Sequence, residues 1–214
     1  MERKKVTDKN KIQLVKEAIN YLERGYAIIF PTDTLYALGV DALNEDALKI
    51  FFSIKKRSAQ KPVPVFVSDI QMAHTLAFIN KRQEVILQKL WSGAFTVVLE
   101  KRQKVSLLLT AGTNKIGLRI PSSDFAYNLV KKFGRPITSS SANISGMSSS
   151  ANLDDIVEQF KANSITPDFV IDGGTLQPSE PSTVIDITGL KPKILRINQT
   201  TLTKLQDVFD KLDF

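Results

Sequence analysis

Pro31-Thr32-Asp33-Thr34 follows directly on the apolar run 26–30 and leads into Leu35-Tyr36-Ala37-Leu38-Gly39. Two hydroxyls and a carboxylate therefore project where a buried-type strand stops. In α/β proteins the crevice at strand ends is where ligands settle, and a few polar groups there orient them. The cluster serves either to cap a strand-to-loop junction or to hold a small ligand. Three further groups carry the same double reading. The run Lys55-Lys56-Arg57-Ser58-Ala59-Gln60-Lys61-Pro62 is either a solvated charge run or a set of cations for phosphate oxygens. No Gly-x-x-x-x-Gly-Lys-Ser/Thr sequence occurs, so a Walker-type phosphate loop is excluded. Ser139-Ser140-Ser141-Ala142-Asn143 supplies hydroxyls, an amide and backbone N–H groups suited to phosphate or carboxylate, or is a flexible loop. Arg119 lies in the otherwise apolar Gly117-Leu118-Arg119-Ile120. A guanidinium there either points to solvent from a sheet edge or has an anionic partner, and its fork matches a carboxylate.

These residues need elements to hold them. Apolar residues at helical spacing predict helices over 8–23, 44–55 and 123–133, the last closed by Gly134. Ser68-Asp69-Ile70-Gln71 and Asn80-Lys81-Arg82-Gln83 have capping-box spacing, predicting helices over 69–78 and from 80 to about Trp91. Helices are also expected over 152–160 and 201–212. Strands are predicted over 26–30, 63–67, 95–99, 105–109, 116–120, 136–140, 168–171, 183–187 and 193–197. Helices and strands alternate early and strands cluster late. The pattern predicts an α/β fold: a single domain spanning 1–214, with one twisted mixed β-sheet and flanking helices. The small, polar segment 145–151 reads as a mobile loop.

Composition narrows the chemistry. The 214 residues suffice for one substantial core, and 43% apolar with 24% charged residues fits a soluble globular chain. No apolar run reaches the length of a membrane span, and Met1-Glu2-Arg3-Lys4-Lys5 leads into no signal segment. There is no Cys, which excludes disulfides and Cys metal sites and favours the cytoplasm. His74 is the only histidine, so a poly-His zinc site is excluded and any Ser-His-Asp triad would have to use it. With 29 Lys and Arg against 22 Asp and Glu the net charge is +7, which favours anionic partners, nucleotides or RNA.

Taken in order, Pro31–Ala42, the 55–62 loop, Gly117–Pro121, Ser139–Gly146, Pro181-Ser182-Thr183-Val184-Ile185-Asp186 and Ile194-Leu195-Arg196 resemble the YrdC-like family of threonylcarbamoyl-AMP synthases. The resemblance runs from about Tyr26 to Arg196. It implies a YrdC-like fold with a motif-bearing core over about 8–198, a C-terminal helix over about 200–212, and the short form of the family, because 18 residues follow Arg196. It implies a nucleotidyltransferase that makes L-threonylcarbamoyladenylate from L-threonine, bicarbonate and ATP, with release of pyrophosphate. Mg²⁺ accompanies the ATP. A tRNA, or the machinery that transfers the threonylcarbamoyl group to the adenosine beside its anticodon, is the partner. The implied ATP-binding residues are Lys55, Arg57, Lys61, Ser141, Asn143, Ser149 and Arg196, with Lys55 and Arg57 also carrying transition-state charge. The implied threonine-binding residues are Thr34, Arg119, Ser139 and Ser182. No covalent nucleophile and no protein metal ligand is implied. Trp91-Ser92-Gly93-Ala94-Phe95-Thr96 resembles the family's Trp-Pro-Gly-Pro-x-Thr without its prolines, with Trp91 read as core.

Three positions depart from the pattern. Phe66 stands where many members have a histidine, Lys115 where a nucleotide-contacting threonine is common, and Asn198 where glycine is usual. Thr113 offers a hydroxyl in place of the one lost at Lys115. Two other readings compete: a tRNA- or double-stranded-RNA-binding factor with a vestigial nucleotide site, and a paralogue adenylating another carbamate, as in hydrogenase maturation proteins.

Overall fold

Glu2–Lys5 forms strand β1, which no hydrophobic alternation announces because all four residues are charged. It is held from outside. Its backbone pairs in parallel with the segment 169–172, and the Arg3 guanidinium clasps Asp172 at 2.8 Å. The computed structural model describes residues 1–91, 94–161, 163–177 and 179–210. Helix α1 (Lys11–Glu23) starts at Lys11 rather than at position 8. The Asn10 side chain accepts from Thr7 N–H and donates to the Lys5 carbonyl, tying that stretch into a turn instead.

The chain continues through β2 (Ile28–Phe30), β3 (Ala37–Gly39) and α2 (Glu45–Lys55). Asn44 caps α2 by accepting from the Asp46 and Ala47 N–H groups. Next come β4 (Val65–Phe66), α3 (Ile70–Leu76), β5 (Ala77–Phe78) and α4 (Lys81–Leu90). Asp69, not Ser68, caps α3, and the Asn80/Gln83 capping box opens α4 as its spacing predicts. After β6 (Phe95–Lys101) the predicted strand over 105–109 is corrected to a single helical turn, α5 (Leu107–Thr110). Ser106 caps it by accepting from Leu108 N–H; an apolar run this short shows no period of its own. Then follow β7 (Lys115–Arg119), α6 (Asp124–Phe133), β8 (Ile137–Thr138), β9 (Ser140–Ser141) and α7 (Leu153–Lys161). Gly134 ends α6 at φ 70°, a conformation that favours glycine. Strands β10 (Phe169–Asp172), β11 (Thr183–Asp186) and β12 (Lys193–Arg196) precede a 3₁₀ turn, Gln199–Thr201, and α8 (Leu202–Asp210). The predicted end of α8, at 212, and the Ser92-Gly93 part of the Trp91 motif lie outside the described residues. Trp91 itself is half-buried and packs on the core.

The single expected sheet is two sheets. One runs β1-β10-β2-β3-β9; the other runs β12-β11-β6-β7-β4-β8, with β5 paired to β6. Both are mixed. Helices α1 and α6 bury Leu14, Ala18, Leu22, Phe125 and Leu129 against Ile28, Phe30 and Phe169. A second core gathers α2, α4 and α7 on β3, β6 and β7. Each fully buried large apolar side chain stabilises by about 1.5–3 kcal/mol. The sheets meet where β8 and β9 are separated by Ser139 alone, so the chain changes sheets at that residue. The Thr138 hydroxyl fastens this crossing, accepting from Val40 N–H and donating to the Leu38 carbonyl.

Candidate functional site

A cavity of about 460 Å³ opens between the two sheets. Its floor is one face of the larger sheet. Thr96 and Val98 of β6, Lys115, Gly117 and Arg119 of β7, and Ser182, Val184 and Asp186 at β11 all line it. Those positions differ by two, as side chains on one face of a strand must. Register fixes the layout: Val98 pairs with Gly117 on one side and with Asp186 on the other, while Thr96 pairs with Val184. Arg119 therefore sits at one end of the floor and Lys115 at the other, four residues and roughly 13 Å apart along β7 at about 3.3 Å per residue, with Asp186 level with Gly117 between them. The facing wall is the β2–β3 connection, with Thr32, Thr34 and Tyr36, and the crossing segment Ser139–Ser141. The Tyr36 hydroxyl anchors that wall, donating to the Gly174 carbonyl at 2.6 Å and accepting from Gly173 N–H at 2.9 Å.

Arg119 is 4% exposed and does have an anionic partner. Its Nη2 donates to Asp33 Oδ2 at 2.5 Å and its Nη1 to Thr34 Oγ1 at 3.3 Å. The guanidinium carbon stands 5.6 Å from the centre of the Phe66 ring, so Phe66 offers it a π-face. Nε is buried with no partner. Burial pushes the Arg119 guanidinium down from its ordinary range, and Asp33 opposes that. Burial raises the Asp33 carboxyl, but Arg119 and the Ser122 side chain outweigh it and hold Asp33 below the usual carboxylate range. A second carboxylate arriving here would share a fork that Asp33 has half filled and aimed.

Lys55, Arg57 and Arg196 have no such partner among the described residues. Arg57 folds back on its loop, donating to the Lys61 and Pro62 carbonyls at 3.3 and 3.0 Å. Arg196 Nε donates to the Ser182 carbonyl at 2.9 Å. Its Nη2 reaches the Ser182 hydroxyl, which also bonds Thr96 Oγ1 at 2.8 Å. Burial pushes both guanidinia down, and the Arg119 charge adds to this at Arg196. Lys55 is 1% exposed. Its Nζ donates to the Ser141 carbonyl at 2.5 Å and to Asn143 Oδ1 at 3.2 Å. Burial, and then the Arg57 charge, push its amine down to about 7. Among the described residues no carboxylate pairs with Lys55, Arg57 or Arg196. The cleft is a place of excess positive charge in poor contact with water, which is where an anion gains most.

Seven of the expected site residues line this cavity: Thr34, Arg57, Arg119, Ser139, Ser141, Ser182 and Arg196. Lys55 and Asn143 stand behind it. With the Ser141 hydroxyl, which donates to Asn143 Oδ1 at 2.7 Å, they brace the 139–143 segment from beneath. Lys61 and Ser149 are exposed and away from the wall. Sequence reading passed over Asp33 as Arg119's partner, and over Thr96 and Asp186 on the floor. Only the two-residue alternation along β6 and β11 marked the last two. Asn198 is buried structure: it caps the 3₁₀ turn at Thr200 N–H and donates to the Glu180 carbonyl. Half-buried His74 touches the rest through its carbonyl, which accepts from Arg102.

The two-sheet α/β fold and its arginine-lined cleft make a site suited to small anions. The chain belongs to the Sua5/YciO/YrdC family, described as "Telomere recombination", whose model matches residues 20–197. It is 32% identical over 199 residues to the threonylcarbamoyl-AMP synthase of Pyrococcus abyssi, covering 92% of this chain and 58% of that protein. It is 33% identical over 204 residues to the putative threonylcarbamoyl-AMP synthase of Methanocaldococcus jannaschii, covering 95% and 91% respectively. The structure of P. abyssi Sua5 complexed with L-threonine superposes with a TM-score of 0.85 at 31% identity, over 97% of this chain and 59% of that one. Escherichia coli YciO, at 24% identity and a TM-score of 0.79 over 92% and 94% of the two chains, shares the fold. The chain thus spans less than two thirds of the P. abyssi relative and nearly all of the M. jannaschii one. Among the described residues no helix is long and apolar enough to cross a membrane.

Proposed function

We propose that this protein makes L-threonylcarbamoyl-AMP from L-threonine, bicarbonate and ATP, releasing pyrophosphate. One observation carries the reading: three guanidinia, Arg57, Arg119 and Arg196, converge on one cleft, and among the described residues only Arg119 of the three has a carboxylate partner. The names of the relatives and the threonine-bound structure of one of them support it. Threonine and bicarbonate condense to a carbamate with loss of water. A carbamate oxygen then attacks the α-phosphorus of ATP, the bond to the β,γ-diphosphate breaks, and pyrophosphate leaves. No protein nucleophile is needed. The work is to align an unstable carbamate with phosphorus and to meet the charge that develops.

In this reading Arg119 takes the threonine carboxylate, with Thr34, Ser139 and Ser182 supplying hydroxyls around the amino acid. Arg57 and Arg196 face the phosphates, and Ser141 adds a hydroxyl. Lys55 and Asn143 present the 139–143 segment, and Lys55 gains a full charge once an anion approaches. Lys61 and Ser149 reach the nucleotide only if their exposed segments fold over it. Mg²⁺ fits as a companion of the ATP. Among the described residues no group of three His, Cys, Asp or Glu side chains is placed to hold a metal, and the Asp186 carboxylate is engaged by Lys115 and Thr188. When bound, the ion supplies charge to the phosphate oxygens. The product would pass to a transferase acting on tRNA adenosine, in the cytoplasm.

The test mixes protein, ATP, Mg²⁺ and bicarbonate with and without L-threonine, reading pyrophosphate and the acyl-adenylate by mass. Both products should require threonine and bicarbonate together. Pyrophosphate that ignores threonine, or none at all, rejects the assignment.

A further inference from the structure

The end of the floor away from Arg119 carries a polar pair to which the reaction above assigns no part. Lys115 Nζ donates to Asp186 Oδ2 at 2.8 Å, reaching across Val98. The other carboxylate oxygen is held from behind: Thr188 N–H and the Thr188 hydroxyl donate to Asp186 Oδ1 at 2.9 and 2.6 Å. The carboxylate is thus fixed in orientation, and Oδ2 keeps one lone pair for the cavity that Asp186 lines. Apolar surfaces frame it. Val98 and Val184 flank it on the floor, and Pro64 and Leu195 also line the cavity. Pro64 lies so close over Gly117 that a Cβ there would stand 3.1 Å from the proline ring. An aimed acceptor set beside apolar side chains suits a flat heterocycle with an outward N–H. The spacing agrees: Asp186 lies two residues along and two strands across from Arg119, roughly 12 Å at about 3.3 Å per residue and about 4.8 Å between strands, a span that an amino-acid carbamate joined through a phosphate and a ribose to a base can cover.

We propose that Asp186, held in place by Lys115 and Thr188, reads the 6-position of the purine, accepting a hydrogen bond from a 6-amino group and rejecting a 6-oxo group. The inference rests on the nucleotide reading of the cleft given above. A carboxylate has only acceptors to offer, and a 6-oxo group facing it sets two acceptors against each other. Burial raises the Asp186 carboxyl, but the bonds from Lys115 and Thr188 outweigh it and keep it below the ordinary range, so it stays an acceptor at neutral pH. Lys115 serves as the brace, one of its hydrogens being spent on Asp186.

The experiment compares ATP with ITP, which replaces the 6-amino by a 6-oxo group, in calorimetric titrations of the full chain. The wild-type protein should bind ATP roughly tenfold or more tightly than ITP, the size expected for one good hydrogen bond exchanged for an unpaired contact. Asp186→Ala removes the acceptor altogether. The preference should then fall to parity. ATP and ITP binding alike to the wild type, or an Ala variant that keeps the full preference, overturns the proposal. If the variant fails to melt cooperatively, the wild-type comparison alone decides. Binding of neither nucleotide would remove the ATP reading as well, whereas equal binding of both removes only the role of Asp186.

Discussion

Lys55→Met keeps the length of a fully buried side chain and deletes its ammonium. In the wild type that nitrogen has two carbonyl-type acceptors, and burial pushes its pKa from 10.5 to about 7. The folded protein therefore releases this proton near pH 7, while the unfolded chain holds it to about 10.5. Between those values the unfolded state binds more protons, so stability rises with pH, and the penalty of burying the charge is fully present below pH 7. Integrating that single titration from about pH 6 to about pH 8.5 gives a gain of about 2 kcal/mol. For a chain of this length that is about 4–8 °C in Tm. The methionine variant has no such group and should lack this increment. Both proteins are melted at the two pH values and the differences subtracted, which cancels the other titrating groups. Wild type and variant moving in parallel would refute the reasoning, because Lys55 would then be no less basic than in the unfolded chain. The same amine predicts that ATP binding near neutral pH takes up a proton, visible as a binding enthalpy that depends on the buffer's ionisation heat.

Arg119→Lys keeps the charge but loses the fork, so the threonine requirement should rise far more than the ATP requirement when each is titrated at saturating partner. Equal losses would indicate a damaged fold, and a selective loss for ATP would move Arg119 to the phosphate side. Arg57→Ala should weaken ATP binding by roughly tenfold or more, the cost of a charged hydrogen bond, with the melting curve unchanged; wild-type affinity in calorimetry would make this loop a solvated charge run. Gly39→Ala should lower the unfolding free energy by about 1–3 kcal/mol in urea titrations. Its Cβ would meet Phe30 Cε1 at 2.5 Å and Ile137 Cγ2 at 2.7 Å, both on fully buried side chains; an unchanged midpoint would show that this packing yields.

Local signals were legible wherever the deciding contact lies within a few residues. The Asn80/Gln83 box and Gly134 placed helix ends correctly, because each acts on backbone groups of its own turn. Arg119 was legible as a residue in want of an anion, since an arginine among apolar strand neighbours requires one. Its partner was not. Asp33 lies 86 positions away and reads in sequence as part of a turn. The charged strand β1 and the short β3 escaped for the same reason: their hydrogen bonds go to strands distant in sequence or across a turn, and no periodicity records them. The α5 turn escaped in the opposite sense, an apolar run too short to declare its period.

The sequence by itself determined the helix caps, the polar inventory of the cleft and the excess of cations, properties of residue type and near neighbours. Tertiary structure alone decided that there are two sheets, that the chain changes sheets at Ser139, and hence that a cavity exists between them. It also divided residues that look alike in sequence. Arg57 faces the cavity while Lys55, two positions earlier, is turned inward to brace the 139–143 segment. A helix that ends between them, with Lys56 at φ 48°, points the two side chains in different directions. Which way each points depends on what the rest of the chain has packed beneath that turn, and local sequence holds no record of that.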